Sequence, residues 1–253
     1  MSFYNLSKEE RTNVVIKISE GVLDDFNALQ QKKIISYFSD EDTYIRKSAY
    51  LATGKIYFAH KKLGVKIINT LDDLVHTEDF KIRQTVINAA GEIGKKDFEM
   101  VQHFFDNGLF DNHHAVRNAV IGSVKKMGEV NPEPVLKWAQ KYLRHTDKEI
   151  RREICHGIEL RGRKFPQDIL PLLKELQDDD TPRVRNTLIH VIGQISYKNG
   201  CLKTVIEDLR TWHNHRLVKD ALKEIIDVHN RYKDFAVLTQ DEARQYISDH
   251  FLL

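Results

Sequence analysis

Cysteine occurs only twice in the 253 residues, as Cys155 and Cys201, which excludes a disulfide framework and a structural zinc site built from several thiolates. Both thiols are expected to be reduced and buried. Charge of either sign is barely in excess: 39 Lys and Arg stand against 37 Asp and Glu, a formal net charge of +2. That is too little for whole-molecule attraction to a polyanion, so any such contact must be a local patch. No run of about 18 apolar residues is present, and the opening MSFYNLSKEERTNVV has neither the basic region nor the apolar core of a secretory signal. The sequence therefore predicts a cytoplasmic chain with no membrane segment. A Walker loop, a dinucleotide glycine fingerprint, a nucleophile elbow and a metalloprotease helix are all missing, and no small-molecule cofactor is expected.

What the sequence does contain is a repeat. An acidic or polar turn, an apolar residue, a cation and a helical apolar pattern recur six times, in DEDTYIRKSAYLATG, TEDFKIRQTVINAAGEIG, DNHHAVRNAVIGSVKKMG, HTDKEIRREICHGIELRG, DDTPRVRNTLIHVIGQIS and HNHRLVKDALKEII. The cations are Arg46, Arg83, Arg117, Arg151, Arg185 and Lys219, spaced by 37 and then four times by 34. Each unit reads as two helices. In the fourth, Pro132 sits in the first turn of the first helix, where its missing N–H costs nothing, and Val135, Leu136, Ala139 and Leu143 follow at helical spacing. Asp147 suits the N-cap of the second helix, whose apolar face carries Ile150, Ile154 and Ile158 and which is expected to run to Gly162. Gly94, Gly128 and Gly162 each fall eleven residues after the cation, where a left-handed residue would end a helix.

One amphipathic pair cannot bury its own apolar stripe, whereas stacked pairs can. The prediction is an all-α fold: a right-handed α-solenoid of six HEAT-like helical-pair repeats with N- and C-terminal capping helices, forming one domain over residues 1–253. The boundaries are a capping helix at about 7–20, repeats at about 21–60, 61–95, 96–129, 130–164, 165–198 and 199–232, and a C-terminal helix at about 239–253. Ser7 opens the first capping helix, and Thr239 with Glu242 forms a capping box for the last.

The repeated cations are expected to be architectural. An acid stands four residues earlier in Asp42/Arg46, Asp79/Arg83 and Asp147/Arg151, which suits a cap-and-ladder arrangement tying each turn to its own or the next repeat. Binding is expected on the second helices. One residue after the cation come Lys47, Gln84, Asn118, Arg152, Asn186 and Asp220; five residues after it come Leu51, Asn88, Gly122, His156, His190 and Glu224. These positions are one helical turn apart and share a face. Across repeats two to five they include no acid, a pattern suited to phosphate and sugar contacts. Positive charge also gathers at 144–164, and RGRK at 161–164, containing Arg161, Arg163 and Lys164, is expected to form a polyanion-binding loop. His113 with His114, and His213 with His215, lack the nearby Cys or carboxylate that a metal site needs, so no metal is expected. Cys155 and His156, as neighbours on a helix, point about 100° apart and make no catalytic dyad. Trp138 and Trp212 are expected to pack within first helices.

Between residues 110 and 200, the segments FDNHHAVRNAVIG, WAQKYLRHTDKEIRREICHG and DILPLLKELQDDDTPRVRNTLIHVIGQISYKNG resemble the bacterial HEAT-like-repeat alkylpurine DNA glycosylases, the AlkC and AlkD group. The resemblance implies a concave basic surface that grips duplex DNA by its backbone and, in active members, excises cationic alkylated bases with the help of a carboxylate. This chain places His113 and His156 where AlkC-like acids would align, and it has no counterpart of the AlkD-like tryptophan pair around Leu109 and Phe110. Asp111, Glu153 and Glu159 are the carboxylates within reach. The expected function is a DNA-binding repeat protein related to alkylation repair, with Asn118, Arg152, His156, Arg161, Arg163, Lys164, Asn186 and His190 as its contacts. The alternatives are a protein-interaction scaffold with a protein partner, and an active alkylpurine glycosylase.

Overall fold

Five of the six second helices begin where a side chain accepts an orphan N–H group of the first turn, the exception being the helix that follows Thr181. In the computed structural model, which describes residues 3–198 and 200–251, Asp42, Asp79 and Asp147 accept from the backbone N–H two residues on. His113 does the same through Nδ1 at 3.2 Å, so the third repeat, which lacks an acid at this position, is still capped. Asp79→Ala is expected to cost about 1 kcal/mol, measured as a lowered urea midpoint with an unchanged slope.

The helices are α1 (Lys8–Ala28), α2 (Lys32–Phe38), α3 (Thr43–Ala59), α4 (Gly64–Leu74), α5 (Phe80–Gly94), α6 (Gln102–Gly108), α7 (His114–Val130), α8 (Pro132–Leu143), α9 (Lys148–Gly157), α10 (Glu159–Gly162), α11 (Pro166–Lys174), α12 (Pro182–Ser196), α13 (Cys201–Leu209), α14 (His215–Arg231) and α15 (Gln240–His250). Among the described residues all regular structure is helical, in the α-solenoid class. The chain divides into two compact units, Met1–Asn131 and Pro132–Leu253. In the first unit α1, α3, α5 and α7 pack in succession as one layer; in the second, α9, α12, α14 and α15 do so. The shorter first helices of each pair cover these layers, and the cores are aliphatic and aromatic, with Phe26, Phe38, Phe104 and Phe105 in the first unit and Trp138 and Trp212 in the second. No helix among the described residues is long and apolar enough to cross a membrane.

Several local expectations are corrected. Helix α1 runs to Ala28, so a first-repeat boundary near 21 falls inside a helix, because the Ser7 capping box starts an uninterrupted amphipathic run. The C-terminal helix spans Gln240–His250, and residues 252 and 253 lie outside the described part. Trp212 is buried but sits in the turn after α13, where its indole N–H donates to Asp208 at 2.7 Å. Gly94, Gly128 and Gly162 are not left-handed: among the described residues, only Leu29 and Gly200 have positive φ. At Gly94 and Gly162 the requirement is close approach. A Cβ on Gly94 would meet Met127 Sδ at 2.4 Å, and one on Gly162 would meet Ile169 Cδ1 at 2.3 Å. The second helix of the fourth pair does not run unbroken to Gly162; it ends at Gly157 and restarts at Glu159.

Candidate nucleic-acid interface

The repeated arginines hold turns together. Arg83 Nη1 donates to the carbonyls of Thr77 and Glu78, both at 2.9 Å, while Nε and Nη2 reach Asp111 of the next turn at 2.8 and 3.0 Å. Arg151 repeats the pattern with His145 and Thr146, at 2.8 and 2.9 Å, and with Asp179 at 2.6 and 3.3 Å. Arg46 donates to the carbonyls of Asp40 and Glu41, and Arg117 to that of Asp111. Arg185 reaches Asp220 at 2.5 Å, and Lys219 is exposed. Burial works to raise the Asp111 and Asp179 carboxyls, but the arginine and the backbone N–H two residues on outweigh it and hold both below the usual aspartate value. Both oxygens of Asp111 are thus engaged by Arg83.

On the second-helix face of the first unit, Lys47 and Asn118 are exposed and Gln84 and Asn88 half-buried. A cavity of about 290 Å³ opens there, lined by Thr43, Tyr44, Arg46, Lys47, Tyr50, Gln84, Thr85 and Asn88, with no carboxylate in its wall. One turn further on, Lys55 and Lys126 are exposed, the latter with its ammonium 5.8 Å from the Tyr50 ring centre. The sequence stripe stopped one turn short of these lysines, although their position nine residues after the ladder cation was there to be read.

The second unit spends its cations differently. Arg152 lies between Glu149 at 2.9 Å and Glu153 at 3.4 Å. RGRK is no free loop, because Glu159–Gly162 is helical and acids from elsewhere meet the arginines. Arg161 pairs with Asp168 at 2.6 Å and stacks 3.9 Å over Phe165. Arg163 is held by the buried Glu159 carboxylate and by Gln194 Oε1 at 2.8 Å. Lys164 and Asn186 are exposed, and Asn186 lines a cavity of about 480 Å³ that also includes Asp178, Asp179 and Asp180.

His156 and His190 are brought together, with ring centres 6.2 Å apart. Beneath them is Glu159, only 1% exposed, whose Oε2 lies 3.2 Å from His156 Nε2. His190 Nδ1 is 3.8 Å from Glu224, which Arg231 clamps at 3.0 Å. Burial lowers the His190 pKa, with Glu159 and Glu224 opposing. Cys155 and Cys201 are buried free thiols, raised in pKa by burial. Sequence reasoning read the two histidines as stripe donors and named no ligand set. A signal was nevertheless present: eight residues after the ladder cation the chain has Gly54, Gly91 and Gly193 but Lys125, Glu159 and Asp227 in the other repeats, and of these three only Glu159 is buried.

No family model and no curated protein matches the chain. Among solved structures it is similar to AlkD2 from Streptococcus mutans, with a TM-score of 0.51 and 16% identity over 68% of this chain and 87% of that one. The structure of smu.31 from Streptococcus mutans UA159 gives 0.47 and 15% over 81% and 97% of the two chains. A designed armadillo repeat protein in complex with the peptide (KR)4 gives 0.37 and 14% over 78% and 98%. The fold is an all-helical repeat array, and it is similar to that of AlkD2.

Proposed function

We propose that the chain binds DNA through phosphate contacts made by the second-helix faces of its repeats, without excising a base. The observation that carries this reading is the carboxylate-free cavity of the first unit, where Lys47, Gln84 and Asn88 offer a cation and side-chain amides, with exposed Lys55, Asn118 and Lys126 on the same helix layer. The cavity supplies the donors that phosphate oxygens take and has no carboxylate in its wall, while the acid at the register of Lys55 and Lys126 in the middle repeat, Glu92, is paired with Lys95 at 2.5 Å. In the second unit the outward members His156, Lys164, Asn186 and His190 would contact the backbone, while Arg152, Arg161 and Arg163 would hold that face in shape through Glu149 and Glu153, Asp168 and Glu159. The fold likeness to AlkD2 supports a DNA partner. Excision is not part of the reading, since Asp111 is engaged by Arg83 and Glu153 and Glu159 are buried, so none of the three carboxylates that the resemblance offered is free to face a sugar cation.

The test is titration of fluorescent duplex, branched and alkylated DNA at about 50 and 200 mM salt, with released bases assayed in the same tubes. Binding is expected to weaken steeply with salt, with a log–log slope of about −0.9 per phosphate contact. Lys47→Ala with Lys55→Ala and Lys126→Ala should flatten that slope by about 2–3 and weaken binding on every sequence alike. Absence of salt-sensitive binding, or an unaltered slope in the triple variant, would overturn the reading. A protein partner retained after nuclease treatment would then favour a scaffold, and released base would favour a glycosylase.

A further inference from the structure

We propose that His156, Glu159 and His190 form a binding site for one divalent transition-metal ion of the zinc class. Two imidazoles and a carboxylate are the ligand types that Zn²⁺ and its neighbours accept, and three protein ligands leave one position open to water or an oxygen ligand. One ligand atom from each side chain lies within 4.8 Å of the other two. Tetrahedral coordination at ordinary zinc distances separates neighbouring ligand atoms by about 3.3 Å, and His156 Nε2 and Glu159 Oε2 are already 3.2 Å apart. Bringing in His190 takes only a small side-chain movement, and its side chain is 43% exposed on the surface of α12 and so has room to make it.

The surroundings fit a ligand set better than a surface ion pair. Glu159 is a buried carboxylate at a register where three other repeats have glycine, and the helix breaks immediately before it. Its second oxygen is fixed by Arg163, which Gln194 holds in turn, the kind of outer support that orients a ligating carboxylate. Arg163 Nε and the amide nitrogen of Gln194, itself 1% exposed, are buried without a hydrogen-bond partner among the described residues. Glu153, Glu159 and Glu224 offset Arg152, Arg163 and Arg231, so the cluster carries no net positive charge against a dication. Cys155, adjacent in sequence, is fully buried and points about 100° away from His156 around the helix, so it takes no part.

The experiment uses full-length protein stripped with chelator, titrated with Zn²⁺ by calorimetry and with Co²⁺ by visible absorption, without DNA, so its outcome is independent of the phosphate reading. One equivalent of each metal is expected, with the d–d bands of low-coordinate Co²⁺ and a raised melting temperature on adding Zn²⁺. His156→Ala and His190→Ala should each weaken Zn²⁺ binding by at least about tenfold. Both side chains are partly exposed, and circular dichroism checks that the variants fold. Glu159→Gln should lose the Co²⁺ bands, while His113→Ala with His114→Ala, and His213→Ala, should leave the Co²⁺ bands and the Zn²⁺ affinity unchanged. No stoichiometric binding, or binding unchanged in His156→Ala and His190→Ala, would overturn the proposal.

Discussion

In metal-free protein at neutral pH, Glu159→Ala is expected to destabilise the second unit by about 3–5 kcal/mol, read as a lowered urea midpoint. The carboxylate is 1% exposed and neutralises Arg163, whose side chain is 29% exposed and is otherwise held by Gln194 and, at 3.5 Å, Tyr197. Truncating the acid leaves that guanidinium half-enclosed without its counter-charge, and it opens a gap where α9 and α12 meet, beside His156 and His190. The cost should therefore belong to the stranded cation more than to the lost atoms. A paired substitution separates the two. Glu159→Leu with Arg163→Met removes both charges and refills the volume, and it should recover most of the loss. If the single substitution is neutral, Glu159 does not anchor this part of the fold.

The parts of the fold that could be read from the sequence are those set by local chemistry. Asp42, Asp79 and Asp147 stand two residues before the N–H groups they cap, and Arg46, Arg83, Arg117 and Arg151 each donate to carbonyls of their own turn. Non-local partners escaped. RGRK looked acid-free because the acid facing Arg161 is Asp168, on the next helix, and the acid facing Arg163 is Glu159, one turn back inside the core. Gly162 does end a helix, but a further break comes four residues earlier, at the start of the segment whose buried glutamate must reach inward. His156 and His190 share one register 34 residues apart, so they aligned as a surface stripe; only packing of α12 on α9 sets them over the same carboxylate. The lysines of the first unit were missed for a simpler reason, that the stripe was read over two helical turns and they lie on the third.

Arg151→Ala should lower stability by about 3 kcal/mol at pH 7, because Asp179, with a side chain only 6% exposed, would keep its charge and lose the cation facing it. The loss should depend on pH in a defined sense. The folded Asp179 carboxyl sits below its ordinary value of 3.8, burial working against the shift and the Arg151 and Thr181 donors producing it. A depressed carboxyl contributes stability that is fully present above that ordinary value and disappears as pH falls through the lower folded one. The gap between the native chain and Arg151→Ala should consequently be constant from pH 7 to about 5 and close progressively below about 4. What remains there measures the two carbonyl bonds from Arg151 to His145 and Thr146. Urea denaturation of both proteins at pH 7, 5 and 3 decides it. A gap of the same size at pH 3 would mean that the arginine acts through the turn carbonyls alone, and that the carboxylate linking one repeat to the next is incidental to stability.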